Sequence, residues 1–324
     1  MLRICALACA IVAFVQSAIA QNQSVQPPWP TKDVRVIVPF PPAAAGDIII
    51  RTLADGLKAA WGKSIIIENI PGAAGSVGVG RLAKSQPDGY TIGISGDAAL
   101  VVNVSLYKQI PYDPIKDIAP ILQIGITPNI LVINNDIPAK TLPEFIALAQ
   151  SKSGKIKFNS AGYGTSQHMG IEQLKKAAGI QVIHVPSKEI PAAEVMGGHV
   201  DANFSNITTA LPLIQGGKLR ALGQSGTERS SVAADIPTIA EQGYAGFNAV
   251  AWFGMIAPAG TPDAIVRKIH ADVSHLLTDP AIRKSLTDRG IQIVASTPEK
   301  FATLIKSEIP RIADLLKDSG IKLD

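Results

Sequence analysis

From Val34 to Ala257 the chain alternates short Val- and Ile-rich runs with stretches whose apolar residues recur at helical spacing. Few architectures can absorb that pattern. Strands are expected near residues 34–39, 64–68, 90–95, 118–125, 130–134, 155–159, 182–185, 200–204, 219–224 and 252–257. Helices are expected near residues 47–61, 142–152, 165–178 and 208–215. The first opens on Asp47 as a cap and repeats Leu53, Leu57 and Trp61 on one face. Strands interleaved with helices predict an α/β protein with parallel-dominated sheets covered on both faces. The remainder is mostly helical, near residues 262–277, 281–289 and 298–319, with an apolar face at Ile265, Ile269, Val273 and Leu276 that must pack somewhere. Returning to the first half is an economical solution. It gives two lobes around a hinged cleft, with lobe 1 formed by residues 31–125 and 252–324 and lobe 2 by residues 126–251.

The amino terminus bears on the compartment. Arg3 supplies a positive start, the run from Ile4 to Phe14 is apolar and uncharged, and Ala18, Ile19 and Ala20 precede Gln21. That run is shorter than the roughly 20 residues of a membrane helix, so residues 1–20 read as a cleavable signal peptide and 21–30 as a flexible leader. Cys5 and Cys9, the only cysteines, both fall inside it. The expected mature chain therefore has no disulfide, thiol nucleophile or thiolate metal site. Residues Ala6 to Ala8 match a lipid-attachment signal for Cys9 poorly. A net charge of +4, with Lys and Arg scattered rather than striped, gives nucleic-acid binding no support. Hydrophobic residues make up 47% of the chain and aromatics 5%, a balance that suits buried aliphatic sheet.

Two loops present the chemistry of anion capture. Phe40 to Asp47, with Ala43, Ala44 and Ala45, joins a strand to a helix start, where free N–H groups and the helix dipole favour negative charge and small side chains admit a ligand. Ser160 to His168 does the same, with Gly162 and Gly164 exposing amides and Thr165 and Ser166 adding hydroxyls. Taken singly, each fits an ordinary capped connection equally well; two of them in two halves of one chain carry more. The segment Gly78 to Ala83 matches a relaxed dinucleotide fingerprint but lacks the strand before it and the acidic residue after it. There is no Gly-x-Ser-x-Gly elbow and no His-Glu-x-x-His helix. A secreted α/β hydrolase or lyase using Ser166 and His168 is the alternative. Two positions apart at a helix start, those side chains would point away from each other.

Longer stretches are more specific. They are Val38 to Pro42, Glu68-Asn69 with Pro71 to Gly75, Pro87 to Thr91, Leu106-Tyr107 with Pro111 to Pro114, Ser160 to His168, Gly216 to Leu222, and Trp252 to Gly254 with Ala257 to Pro262. In these the chain resembles the Bug family, the extracytoplasmic solute receptors of tripartite tricarboxylate transporters. The resemblance implies a periplasmic protein of the two-lobed Venus-flytrap fold, with mixed sheets flanked by helices and the ligand in the interlobe cleft, that is not an enzyme and needs neither metal nor cofactor. It implies that the two lobes close over a ligand carboxylate gripped by Phe40, Ala43, Ala44, Ala45 and Asp47 on one side. On the other side it implies Ser160, Gly162, Tyr163, Gly164, Thr165, Ser166 and His168. Ser95, Gly96 and Asp97 would line the cleft, and two permease subunits or a sensor protein would read the closed form of a monomer.

The chain departs from that pattern at Ala43-Ala44, where a glycine pair is usual. Ser187-Lys188-Glu189 replaces a Tyr-Lys-Gly, and Ser205-Asn206 replaces an Asp-Asn pair. Ser187 and Ser205 are expected to face the distal end of the ligand. Losing a tyrosine and an aspartate there should make room and weaken selection for an ammonium, unless Glu189 or Asp97 restores the charge.

Overall fold

A computed structural model describes residues 29–187, 191–317, 321 and 323. The signal peptide, nearly all of the leader, Lys188 and Glu189 lie outside the described residues. Two sheets organise the rest. The first has six strands in the order β11-β4-β10-β3-β1-β2, namely β1 (Val34–Val38), β2 (Ile65–Asn69), β3 (Thr91–Gly96), β4 (Ile118–Thr127), β10 (Ala251–Pro258) and the short β11 (Gln292–Ile293). The second has five, β7-β6-β8-β5-β9, namely β5 (Asn129–Ile133), β6 (Lys157–Ser160), β7 (Ile183–Pro186), β8 (Ala202–Asn206) and β9 (Arg220–Gln224).

Each sheet is parallel on one side and antiparallel on the other, so both are mixed sheets flanked by helices, as the family resemblance implied, with more antiparallel pairing than the alternation of strands and helices alone suggested. β1 pairs in parallel with β2 and β3, whereas β10 runs antiparallel to both β3 and β4. Connectivity explains the reversal. β4 carries the chain out of the first sheet and reaches β5 across the single residue Pro128; β10 brings it back, and so must run the other way.

The inner strands are mostly apolar because both faces are covered, whereas Arg35 of β1 and most of the edge strand β7 are exposed. Alternate residues serve opposite layers. Val34, Val36 and Val38 pack on Ile49, Leu53 and Leu57 of α1 (Ala45–Trp61) and on Ile269 and Val273 of α8 (Asp263–Leu276). Ile37 and Ile256 turn to the other side, where Val79, Leu82 and Phe301 lie. The second sheet repeats the scheme, with Leu131 and Ile133 against Phe145 and Leu174, and Ile130 and Val132 against Val195 and Ala210.

The late helices pack on the first sheet, where two of them meet β4. The last of them, α10 (Pro298–Leu316), places Phe301 edge-on to Trp252, with ring centroids 5.5 Å apart. Met169, from the helix α5 (Ser166–Ala178) that follows β6, also joins the cluster that contains Trp252 and Val102. The lobes are thus in contact, and Lys176 bridges to Asp314 at 2.8 Å across them.

Candidate ligand-binding site

The first loop is held from within. Helix α1 begins at Ala45, two residues before the expected start, and its cap, Ala44, makes no side-chain bond. Asp47 therefore sits in the first turn rather than at the cap. Its carboxylate reaches back to accept the Ala43 N–H at 2.8 Å, and also accepts from Arg51 at 2.8 Å and Asn69 at 2.9 Å. Burial works to raise its pKa, but the bonds from Arg51, Asn69 and Ala43 prevail and hold it below the usual aspartate range. Asp47 braces the loop, with both oxygens engaged. Ala43 itself has φ 65°, the left-handed backbone that a glycine adopts without cost. Ala44 N–H bonds to Pro41 C=O at 3.2 Å. With the amides of Ala43 and Ala44 used inside the loop, those of Ala45, Gly46 and Asp47 remain, which have no acceptor within the helix. Phe40 packs edge-on to Phe253 at 5.6 Å, so close to Gly46 that a Cβ there would lie 2.4 Å from its ring.

The second loop is folded on two histidines. Thr165 caps α5 by accepting the His168 N–H at 3.3 Å and donates to Gly162 C=O at 2.8 Å. His168 Nδ1 accepts the Gly164 N–H at 3.3 Å. Its ring stacks on His184 at 4.5 Å, and Tyr163 stands edge-on to both, at 5.3 and 5.1 Å. Ser160 Oγ lies 2.7 Å from His184 Nε2 and accepts the Gly162 N–H at 3.1 Å. Burial, with the neighbouring His184 and Lys175, pushes His168 down to about 3. Burial and Lys175 take His184 to about 4. Both rings are neutral, and, against expectation, the Gly162 and Gly164 amides and the Thr165 hydroxyl are spent inside the loop, which leaves the first-turn amides of Ser166 and Gln167, without an acceptor in the helix, as its donors.

Opposite this loop stands Asn103, which the sequence reading did not single out. It is fully buried, and its Nδ2 donates to Ala73 C=O at 3.0 Å and to Ser76 Oγ at 2.7 Å. Ala73 and its neighbours Gly72, Ala74 and Gly75 all have positive φ. Asn103 Oδ1 has no partner, and a Cβ on Gly164 of the other lobe would lie 3.0 Å from it. Its signal in the sequence is a lone amide in the apolar stretch Ala98 to Leu106. His168 Nε2, His184 Nδ1, Ser95 Oγ and Thr127 Oγ1 are likewise buried without a hydrogen-bond partner. Buried polar atoms are almost always satisfied, so such a group marks places for water or ligand atoms.

The remaining expected residues fall in two places. Ser95 is buried, and Gly96 lies so near Trp252 C=O that a Cβ there would stand 2.7 Å from it. Asp97 and Ser166 come from opposite lobes to line one cavity of about 150 Å³, together with Trp252, Gln173, Glu308 and Arg311. Ser205, by contrast, is buried and donates to Asn203 Oδ1 at 2.5 Å, within an amide network that ties Asn203 to Asn159. Ser187 N–H donates to Ser160 C=O at 2.9 Å, which sets it beside the second loop. Ser166 Oγ accepts from Asn129 Nδ2 at 3.0 Å rather than meeting His168, so the pair that a hydrolase would need is not assembled.

The sequence profile of the tripartite tricarboxylate transporter family receptors matches residues 49–321. The chain belongs to this family. Its members and its structural neighbours are solute-binding receptors, not enzymes. Among relatives of this receptor is Protein BugT of Bordetella pertussis, 33% identical over 298 residues that span 91% of each chain. Among solved structures, MatC from Rhodopseudomonas palustris with bound malate is 31% identical. It covers 89% of this chain and 100% of its own, with a TM-score of 0.78. R. palustris Rpa4515 with adipate is 28% identical, with a TM-score of 0.81 over 91% of this chain and 99% of its own.

Proposed function

We propose that this receptor works in the periplasm, after removal of a signal peptide over residues 1–20, and closes its two lobes as a monomer over a small aliphatic or aromatic mono- or dicarboxylate. The first turn of α1, through the amides of Ala45, Gly46 and Asp47, grips the carboxylate from one side. The Ser160 to His168 loop grips it from the other. The observation that carries this reading is the pair of buried polar atoms without a hydrogen-bond partner beside the second loop, Asn103 Oδ1 and His184 Nδ1. A bound ligand or its bridging water completes them. Malate and adipate on two relatives support the carboxylate class.

Neutral histidines and amide donors suit an anion that must later be released, since no full positive charge holds it. Two membrane permease subunits, or a sensor protein, would read the closed form. The distal selectivity differs from that of an amino-acid receptor, because Ser205 is turned into the Asn203 network rather than offering a carboxylate. Calorimetric titration with malate, adipate, benzoate, aspartate and glutamate tests this. Micromolar or tighter binding of a carboxylate lacking an ammonium is the expected result; binding confined to the two amino acids would overturn it.

A further inference from the structure

Close to the two loops, the lobes flank the partly open cavity of about 150 Å³ that Asp97 and Ser166 share. Asp97 is the group in it that ordinary packing does not explain. Its carboxyl accepts a long bond, 3.3 Å, from the Trp252 N–H, with help from the backbone N–H groups of Asp97 and Ala98. Among the described residues it has no salt bridge. The charged groups that α10 turns toward the cavity are Glu308 and Arg311. They are locked together by two bonds of 2.7 and 2.6 Å, so the guanidinium is already engaged. Helix α5 of the other lobe offers only Ser166, Met169 and Gln173, none of them charged. The neighbouring strand offers Gln123, and the crossing between lobes Thr227 and Asn248, which are equally neutral.

Asp97 is half-buried there and has gained no cation in return for the water it has lost. Burial, opposed in part by the backbone N–H groups, and the negative charge of Glu308 push Asp97 up to about 7. Parting the lobes would remove the α5 wall of the cavity and return Asp97 to water.

We propose that closing the lobes on a carboxylate without a cationic group draws one proton from solvent onto Asp97, so that capture of such a ligand is coupled to proton uptake. This rests on the carboxylate-receptor reading above. The closed form binds the extra proton, so closure is favoured at low pH and weakens as pH rises toward the folded-state value. An ammonium placed in the cavity would pair with Asp97 and keep it ionised, so the proton count separates two classes of ligand.

The test is calorimetry with malate and adipate at pH 6 and pH 8, each in two buffers of different ionisation enthalpy. The expected result is close to one proton taken up per ligand at pH 6 and little at pH 8, with affinity about tenfold higher at pH 6. Asp97→Asn should abolish the uptake and flatten the pH dependence. Absence of uptake in the wild type, or its persistence in Asp97→Asn, overturns the proposal. Should neither probe bind, the receptor reading fails separately. The proposal is then decided by the carboxyl ¹³C titration of Asp97 in protein whose lobes are held together by a short bis-maleimide link between Lys176→Cys and Asp314→Cys. A midpoint near 7 supports it; one near the ordinary aspartate value sinks it.

Discussion

Gly164 couples the lobes through an absence. With φ 83° and a virtual Cβ 3.0 Å from Asn103 Oδ1, it lets the second loop press onto the first lobe where any side chain would hold them apart. Gly164→Ala is expected to cost about 1 kcal/mol of stability through its backbone alone. It should weaken ligand binding more than tenfold by propping the lobes open, which calorimetry and a denaturation curve on one sample will separate. The histidines make a second prediction. Both have folded pKa values far below their ordinary 6.5, near 3 for His168 and 4 for His184, so the native state binds fewer protons than the unfolded chain. Their contribution is intact above pH 6.5 and is lost as pH falls through 4, at up to about 1.4 kcal/mol per unit for each ring. Asp97, shifted the opposite way, offsets roughly one of them across that range. Urea unfolding at pH 6.5 and 4.5 should show a net loss, smaller in His184→Gln. At this scale the sequence was least legible. The helix start at Thr165 was legible, but Asp47 bonds backward from the first turn and Asn103 matters through a partner 61 residues away, a proximity that no local pattern encodes.

Among elements, the meeting of β10 and α10 is the tightest. A Cβ at Gly254 would lie 2.3 Å from the Phe301 ring and 2.7 Å from Leu122 C=O. Gly254→Ala should destabilise by about 1–3 kcal/mol through overpacking, and Phe301→Ala by about 3–5 kcal/mol through the cavity left in the core. If the contact is direct, the double variant should be more stable than the sum of the two losses by at least about 0.5 kcal/mol, measured as a double-mutant cycle in urea. Elements were largely legible because strands such as Ile130–Ile133 are buried on both faces, which leaves apolar runs in the sequence. What escaped were pieces too short to show a period: Pro191–Met196, Asn103–Leu106 and Gln292–Ile293. The direction of β10 escaped too. Strand composition is blind to polarity, and only the crossing between lobes sets it.

For the whole molecule, closure should shrink the receptor. Small-angle scattering with saturating ligand is expected to give a smaller radius of gyration than without it, and Gly164→Ala should lose most of that change. The Lys176–Asp314 pair spans the lobes but is exposed at 53% and 71%, so removing it should alter the salt dependence of closure and leave the fold intact.

The placement of β10 between β3 and β4 also has a consequence in time. A chain made amino terminus first delivers β1 to β4 early. The slot between β3 and β4 must then stay open until Ala251–Pro258 emerges, more than 120 residues after Thr127. The second sheet is complete by Gln224 and has no such wait. Nascent chains stopped near residue 245 should therefore resist protease over residues 129–224 while the earlier strands are cut, and closing that slot is the long-range step that limits folding.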